Sequence, residues 1–179
     1  YLLNKTSVQT QHNLNISGGT KNVKYFVSLG FLYQDGFFKK FKELNYNNNY
    51  EYTRYNYRAN LDVNLTKSTV LKLNIGGIVG VKNAPNYHEE FWCYLMATSA
   101  PFSSPGVVDG KKVVTAPDRF GGLVTQYDMF PRFFGTGYSR QVTNTMNFDM
   151  VLTQNLDFVT KGLSVEAKGA YNTTYSYMK

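Results

Sequence analysis

The stretch Tyr55-Asn56-Tyr57-Arg58-Ala59-Asn60-Leu61-Asp62-Val63-Asn64-Leu65 separates into two sets when alternate residues are taken together. Tyr55, Tyr57, Ala59, Leu61, Val63 and Leu65 are apolar or aromatic, whereas Asn56, Arg58, Asn60, Asp62 and Asn64 are all polar. Only a β-strand sends successive side chains to opposite faces, because a helix of this sequence would spread both sets around its circumference. At about 3.3 Å per residue such a strand runs roughly 33 to 36 Å, and tilted near 45° it covers about 25 Å of height. That height equals the apolar band of a bilayer, whereas strands of soluble domains are nearer five or six residues.

The same alternation recurs on both sides of this stretch. Upstream, His12, Leu14 and Ile16 oppose Asn13, Asn15 and Ser17, and Gly18-Gly19-Thr20-Lys21-Asn22 reads as a hairpin turn. The return strand carries Val23, Tyr25, Val27, Leu29, Phe31 and Tyr33 on one face, with Phe26 and Leu32 interrupting an otherwise polar opposite face. Downstream of Thr66-Lys67-Ser68-Thr69, Leu71, Leu73, Ile75, Gly77, Val79 and Val81 oppose Lys72, Asn74, Gly76, Ile78, Gly80 and Lys82. Both central strands place odd-numbered residues on the apolar face, so antiparallel partners must sum to an even number. Lys72 is therefore expected opposite Asn64 or, in the next allowed register, Asp62.

Alternation returns at Asn144 to Phe158, with Val151 and Gln154 as exceptions, and continues after a turn at 159–162 through Leu163 to Tyr177. Strands are expected near 10–18, 23–34, 52–65, 70–82, 143–158 and 163–178, with long loops at 35–50 and 83–141. The Asn47-Asn48-Asn49 run in the first loop reads as solvated. Within the second, His88 to Ala100 lacks Gly and Pro and spaces Phe91, Tyr94 and Leu95 as a short helix would.

Connections alternate between short and long, so all short turns fall at one end of the sheet and both long loops at the other. Membrane β-barrels have this asymmetry. Apolar-face aromatics gather at the strand ends: Phe31, Tyr33, Tyr55, Tyr57, Tyr171, Tyr175 and Tyr177 at the long-loop end, Tyr25 and Phe158 at the short-turn end. This is the distribution of an interfacial girdle. The fold expected is all-β, an antiparallel up-and-down transmembrane β-barrel segment of about six strands, with one long extracellular loop containing a short helix. Six strands cannot close a barrel whose smallest members have about eight, so the segment belongs to a larger barrel. The chain opens on Tyr1 without a signal peptide and is expected to be a piece of a longer protein.

Composition narrows the alternatives. No run of eighteen apolar residues exists among the 179, which excludes a helical span. The formal charge of +7 comes from scattered Lys and Arg rather than a cluster, so no nucleic-acid partner is expected. A β-sheet nucleic-acid platform would also need Arg58 on the same face as Tyr55 and Tyr57, which alternation forbids. Cys93 stands alone, and His88, Glu89, Glu90 and Cys93 offer no zinc spacing. No nucleophile elbow, phosphate loop or dinucleotide fingerprint appears, so neither enzymatic activity nor a cofactor is expected. A soluble carbohydrate- or peptide-binding β-sandwich, with the odd face as its core, remains the alternative.

The segment Gln11-His12-Asn13-Leu14-Asn15-Ile16-Ser17-Gly18-Gly19-Thr20, followed by Tyr25-Phe26-Val27-Ser28-Leu29-Gly30, Gln34-Asp35-Gly36 and Tyr57-Arg58-Ala59-Asn60-Leu61-Asp62, resembles the SusC/RagA family of TonB-dependent outer-membrane transporters. Ser99-Ala100-Pro101-Phe102-Ser103-Ser104-Pro105 and Asp109-Gly110 look like the family's long loop, and Lys161-Gly162-Leu163 like its short turn. The resemblance implies a plugged barrel of about 22 strands in the outer membrane of a Gram-negative bacterium. It also implies import of oligosaccharides or peptides, energised by the TonB complex and lidded by a SusD-like lipoprotein.

In that setting, polar-face residues near the long-loop end would meet substrate: Gln34, Arg54, Asn56, Arg58, Lys82, Thr145, Asn147, Asn172 and Thr174. Their amides and hydroxyls suit neutral, hydroxyl-rich ligands. Trp92 in the long loop could stack on a sugar ring or the lipoprotein. Deeper residues, among them Asn60, Asp62, Asn74 and Asp149, would face the plug.

Overall fold

The computed structural model describes residues 3–40, 45–86, 94, 97–98, 107–109, 111–112 and 136–179. Six long strands form one antiparallel sheet in which every strand pairs with its neighbours in up-and-down order. They are β1 (Gln9–Gly19), β2 (Val23–Gln34), β3 (Glu51–Asn64), β4 (Thr69–Pro85), β7 (Tyr138–Asn155) and β8 (Ser164–Met178). Between β4 and β7 lies a separate two-stranded hairpin, β5 (Val107–Val108) with β6 (Lys111–Lys112), which alternation does not reveal. Asp109 holds a φ of 50° at its bend, a conformation Asp tolerates better than most side chains.

The register is continuous across all six strands. Of the two allowed partners for Lys72, the sheet uses Asp62. Reading across, Ile16, Val27, Ala59, Ile75, Phe148 and Tyr171 form one row of the apolar face. The next row but one toward the long loops holds His12, Phe31, Tyr55, Val79, Asn144 and Tyr175. In it the His12 and Phe31 rings stack at 6.3 Å and the Phe31 and Tyr55 rings tilt together at 5.4 Å.

Among the described residues no second layer covers this apolar face, and its side chains are open: Leu14 is 55% exposed and Tyr171 59%. With strands about 4.8 Å apart, six strands over nine residues make a surface of roughly 900 Å². Soluble monomers rarely expose apolar patches beyond about 300 to 600 Å². Among the described residues the sheet is thus held by cross-strand pairs and backbone ladders, not by a buried core.

Polar residues that break the alternation tie the turns together. Gln154, on the apolar parity of β7, accepts from Thr69 Oγ1 at 2.6 Å and donates to Ser68 Oγ at 3.1 Å, clamping the β3–β4 turn to the next strand. Thr66 Oγ1 accepts from the Ser68 and Thr69 amides in the same turn. The β7–β8 turn bends through Gly162, whose φ of 85° only glycine adopts freely.

In the Asn run of the first long loop Asn48 and Asn49 are buried rather than solvated, with Asn49 only 1% exposed, and Asn47 is half-buried. Asn49 Oδ1 accepts from the Phe38 and Tyr50 amides, and its Nδ2 donates to the Phe38 carbonyl at 2.8 Å. Asn83 then donates to the Asn47 and Asn49 carbonyls from β4. An amide carries donors and acceptors together, so in a loop it can replace the ladder bonds that the backbone lacks. Residues 3–8 are pinned alongside, through the Leu3 and Phe38 bridge and Ser7 Oγ donating to the Asp35 carbonyl at 2.6 Å.

Strand bounds shift where alternation is weak. β4 and β7 continue pairing to Pro85 and Tyr138, because Ser139, Arg140 and Gln141 are polar on both faces and hide the period. At its other end β7 stops at Asn155, so Phe158 sits in the turn, 80% exposed. Of the helix expected over 88–100, only Tyr94, Ala97 and Thr98 are described; they are helical, with Thr98 Oγ1 donating to the Tyr94 carbonyl. The rest lies outside the described residues.

Candidate functional site

The face opposite the apolar rows is built by the same register. One row runs Asn15, Ser28, Arg58, Gly76, Asn147 and Asn172. The next toward the long loops runs Asn13, Gly30, Asn56, Ile78, Thr145 and Thr174. Beyond it stands Arg54, between Leu32 and Gly80. Gln34 and Lys82 share a further row with Tyr52 and Gln141.

A concavity of about 490 Å³ opens over these rows, lined by Arg54, Asn56, Arg58, Thr145 and Asn147 among others. Gln34, Lys82, Asn172 and Thr174 do not line it, the last two lying one strand further along the same rows. Trp92, His88, Glu89, Glu90 and Cys93 lie outside the described residues.

Glycine makes the space. A Cβ built on Gly76 would meet only the Tyr57 carbonyl, at 3.7 Å, so the row holding Arg58 and Asn147 has a gap at its centre. At Gly30, Asn13 Oδ1 and Asn56 Nδ2 already close to 3.0 and 3.1 Å of such a carbon, so the amides lean over that glycine. Asn13, Phe26, Ser28 and Ile78, together with Gly30, Tyr57, Gly76 and Gly77, complete the lining, and none of them was singled out from the sequence as a site residue. Alternation names their face, but only register shows that they surround the same gap.

The chemistry of the lining is asymmetric. It contains two guanidinium groups and no carboxylate. Among the described residues, ion pairs join Lys40 to Asp35 and Glu51, and Lys168 to Glu166, and none reaches Arg54 or Arg58. Arg54 Nε is buried without an acceptor. Thr145 Oγ1 approaches Thr174 Oγ1 at 3.4 Å, whereas the Asn56 and Asn147 amides bond to no other described side chain.

A second hollow of about 360 Å³ lies at the long-loop end on the apolar side, between Tyr46, Glu51, Asn83, Tyr138 and Arg140. The Tyr46 and Tyr138 rings stand 6.0 Å apart there. Beside it Lys40 bridges Glu51 and Asp35, the latter at 3.3 Å. Partial burial pulls Lys40 down, but the Glu51 hydrogen bond and the Glu51 and Asp35 charges outweigh it and hold Lys40 above the ordinary lysine value.

No protein-family model and no curated protein matches the chain.

Proposed function

We propose that this chain is a segment of a plugged β-barrel in the outer membrane of a Gram-negative bacterium, part of a TonB-dependent importer of oligosaccharides or peptides. In this reading the apolar rows face lipid and the polar rows face the lumen. The short turns are periplasmic, the long loops are extracellular, and a SusD-like lipoprotein covers the mouth. The TonB complex would act through a plug inside the complete barrel, of whose wall these six strands are a part.

The observation that carries the reading is a one-layer, six-stranded sheet with a mainly apolar face, interrupted at Asn144 and Gln154, and no described layer over it. Water would penalise such a face at about 25 cal/mol per Å² of apolar surface, whereas hydrocarbon does not. Lipid also explains the row of rings at His12, Phe31, Tyr55 and Tyr175 toward the long loops, although Tyr171, expected at that end, shares a middle row with Phe148 and Ile75. A soluble sandwich needs the apolar middle but not the ring row.

The test is site-directed spin labelling of the full-length protein in bilayers, with labels at Asn60, Leu61, Asp62 and Val63. Oxygen collisions should dominate at Leu61 and Val63 and a water-soluble nickel chelate at Asn60 and Asp62. One common environment at all four positions would overturn the reading.

A further inference from the structure

The cavity on the polar face is cationic, and we propose that it binds the carboxylate of an acidic ligand, with Arg54 and Arg58 as its charged partners. The proposal rests on the import reading, in which this face meets the aqueous lumen, and deepens it by naming the substrate class.

Arg54, Asn56 and Arg58 follow one another on a single face of β3, so two cations flank an amide along one wall. Asn147 and Thr145 face them across the gap at Gly76. Neither arginine has an ion-pair partner among the described residues, and the lining offers none. A cationic ligand would find no counter-charge here, and a neutral one would leave the buried Arg54 Nε without a charged acceptor. A carboxylate accepts from a guanidinium in a planar, often two-pronged geometry, and such bonds are roughly twice as strong as neutral ones. Arg54 is the more poised of the two, since its buried Nε lacks an acceptor and an anion drawing the guanidinium into the cavity would relieve that deficit. The surrounding amides then suit hydroxyl or peptide groups adjoining the carboxylate.

Two kinds of molecule supply that chemistry, sugar acids and acidic peptides. Calorimetric titration of the full-length protein in detergent should use a linear tetrauronate, its carboxyl-reduced neutral counterpart, tetraglutamate and tetraglutamine. At least one acidic probe is expected to bind, and its uncharged counterpart at least about tenfold more weakly, the scale of one charge-assisted hydrogen bond. Binding of the tetrauronate alone assigns the site to sugar acids, and of tetraglutamate alone to peptides. Arg54→Gln and Arg58→Gln should each weaken binding about tenfold or more. Gly76→Val, whose side chain would enter the cavity, should abolish binding without lowering the melting temperature. Equal binding of acidic and neutral probes, binding of neither acidic probe, or indifference to both arginine changes would overturn the carboxylate assignment. The spin-label pattern at Asn60 to Val63 is read on the same preparation. A carboxylate failure with that pattern intact leaves the import reading standing, whereas loss of the pattern removes both.

Discussion

Gly76 and Gly77 are neighbours in the chain and belong to different environments. A side chain on Gly76 would project into the open gap of the polar face, touching only a carbonyl oxygen at 3.7 Å. One on Gly77 would overlap the Tyr57 ring, which lies across it on the apolar face, and stand 2.6 Å from the Thr145 carbonyl. The same residue type thus makes room for a cavity on one face and for an aromatic ring on the other. The apolar face is closely tiled by rings and aliphatic groups, whereas the polar face is left unfilled where Arg58 and Asn147 flank it.

Charge should separate the faces most strongly. Leu73 pairs with Leu61 and Met150 in the middle of the apolar face, so on the proposed reading Leu73→Lys places a cation in hydrocarbon, at a cost of about 2 to 4 kcal/mol. Asn74→Lys, one residue away on the polar face, should change stability by less than about 0.5 kcal/mol. Urea unfolding of both variants in vesicles measures the difference, and equal costs would mean that the faces share one solvent.

Sterics come next. Gly77→Val should cost about 1 to 3 kcal/mol by overpacking, visible as a lower urea midpoint. Gly76→Val should be neutral or slightly stabilising, since valine favours a strand and its space is empty. If the two glycines respond alike, the cavity is not open as described.

The smallest effect lies where the apolar face ends, at Lys40, Asp35 and Glu51. Because Lys40 is held above its unfolded value, its contribution is complete below about pH 10.5 and disappears as pH rises through the higher folded value. A nitroxide at the exposed Phe37 should remain restrained from neutral pH to about pH 10.5 and loosen above that. In Lys40→Met the same label should be looser throughout, with no alkaline step.

Much of the sheet was legible because a strand's two faces follow from a period of two. Tyr55 to Leu65 specified its own faces, and parity reduced the partner of Lys72 to two candidates. Gln154 looked like a flaw in the pattern until Thr69 and Ser68 were found beside it. The Asn47 to Asn49 run looked solvated because composition reports polarity and not which backbone groups need partners. Arg54, Asn56, Arg58, Thr145 and Asn147 were nameable as polar-face residues, but their grouping around Gly76, and the exclusion of Gln34 and Lys82 from it, were not.

The sequence by itself determined which side chains share a face and where the chain turns, since both depend on residues next to one another. Only the tertiary structure decided the choice between registers, the burial of Asn49, the different roles of Gly76 and Gly77, and the cationic cavity. Each of those depends on residues brought together from distant positions, and alternation constrains such meetings only to odd or even.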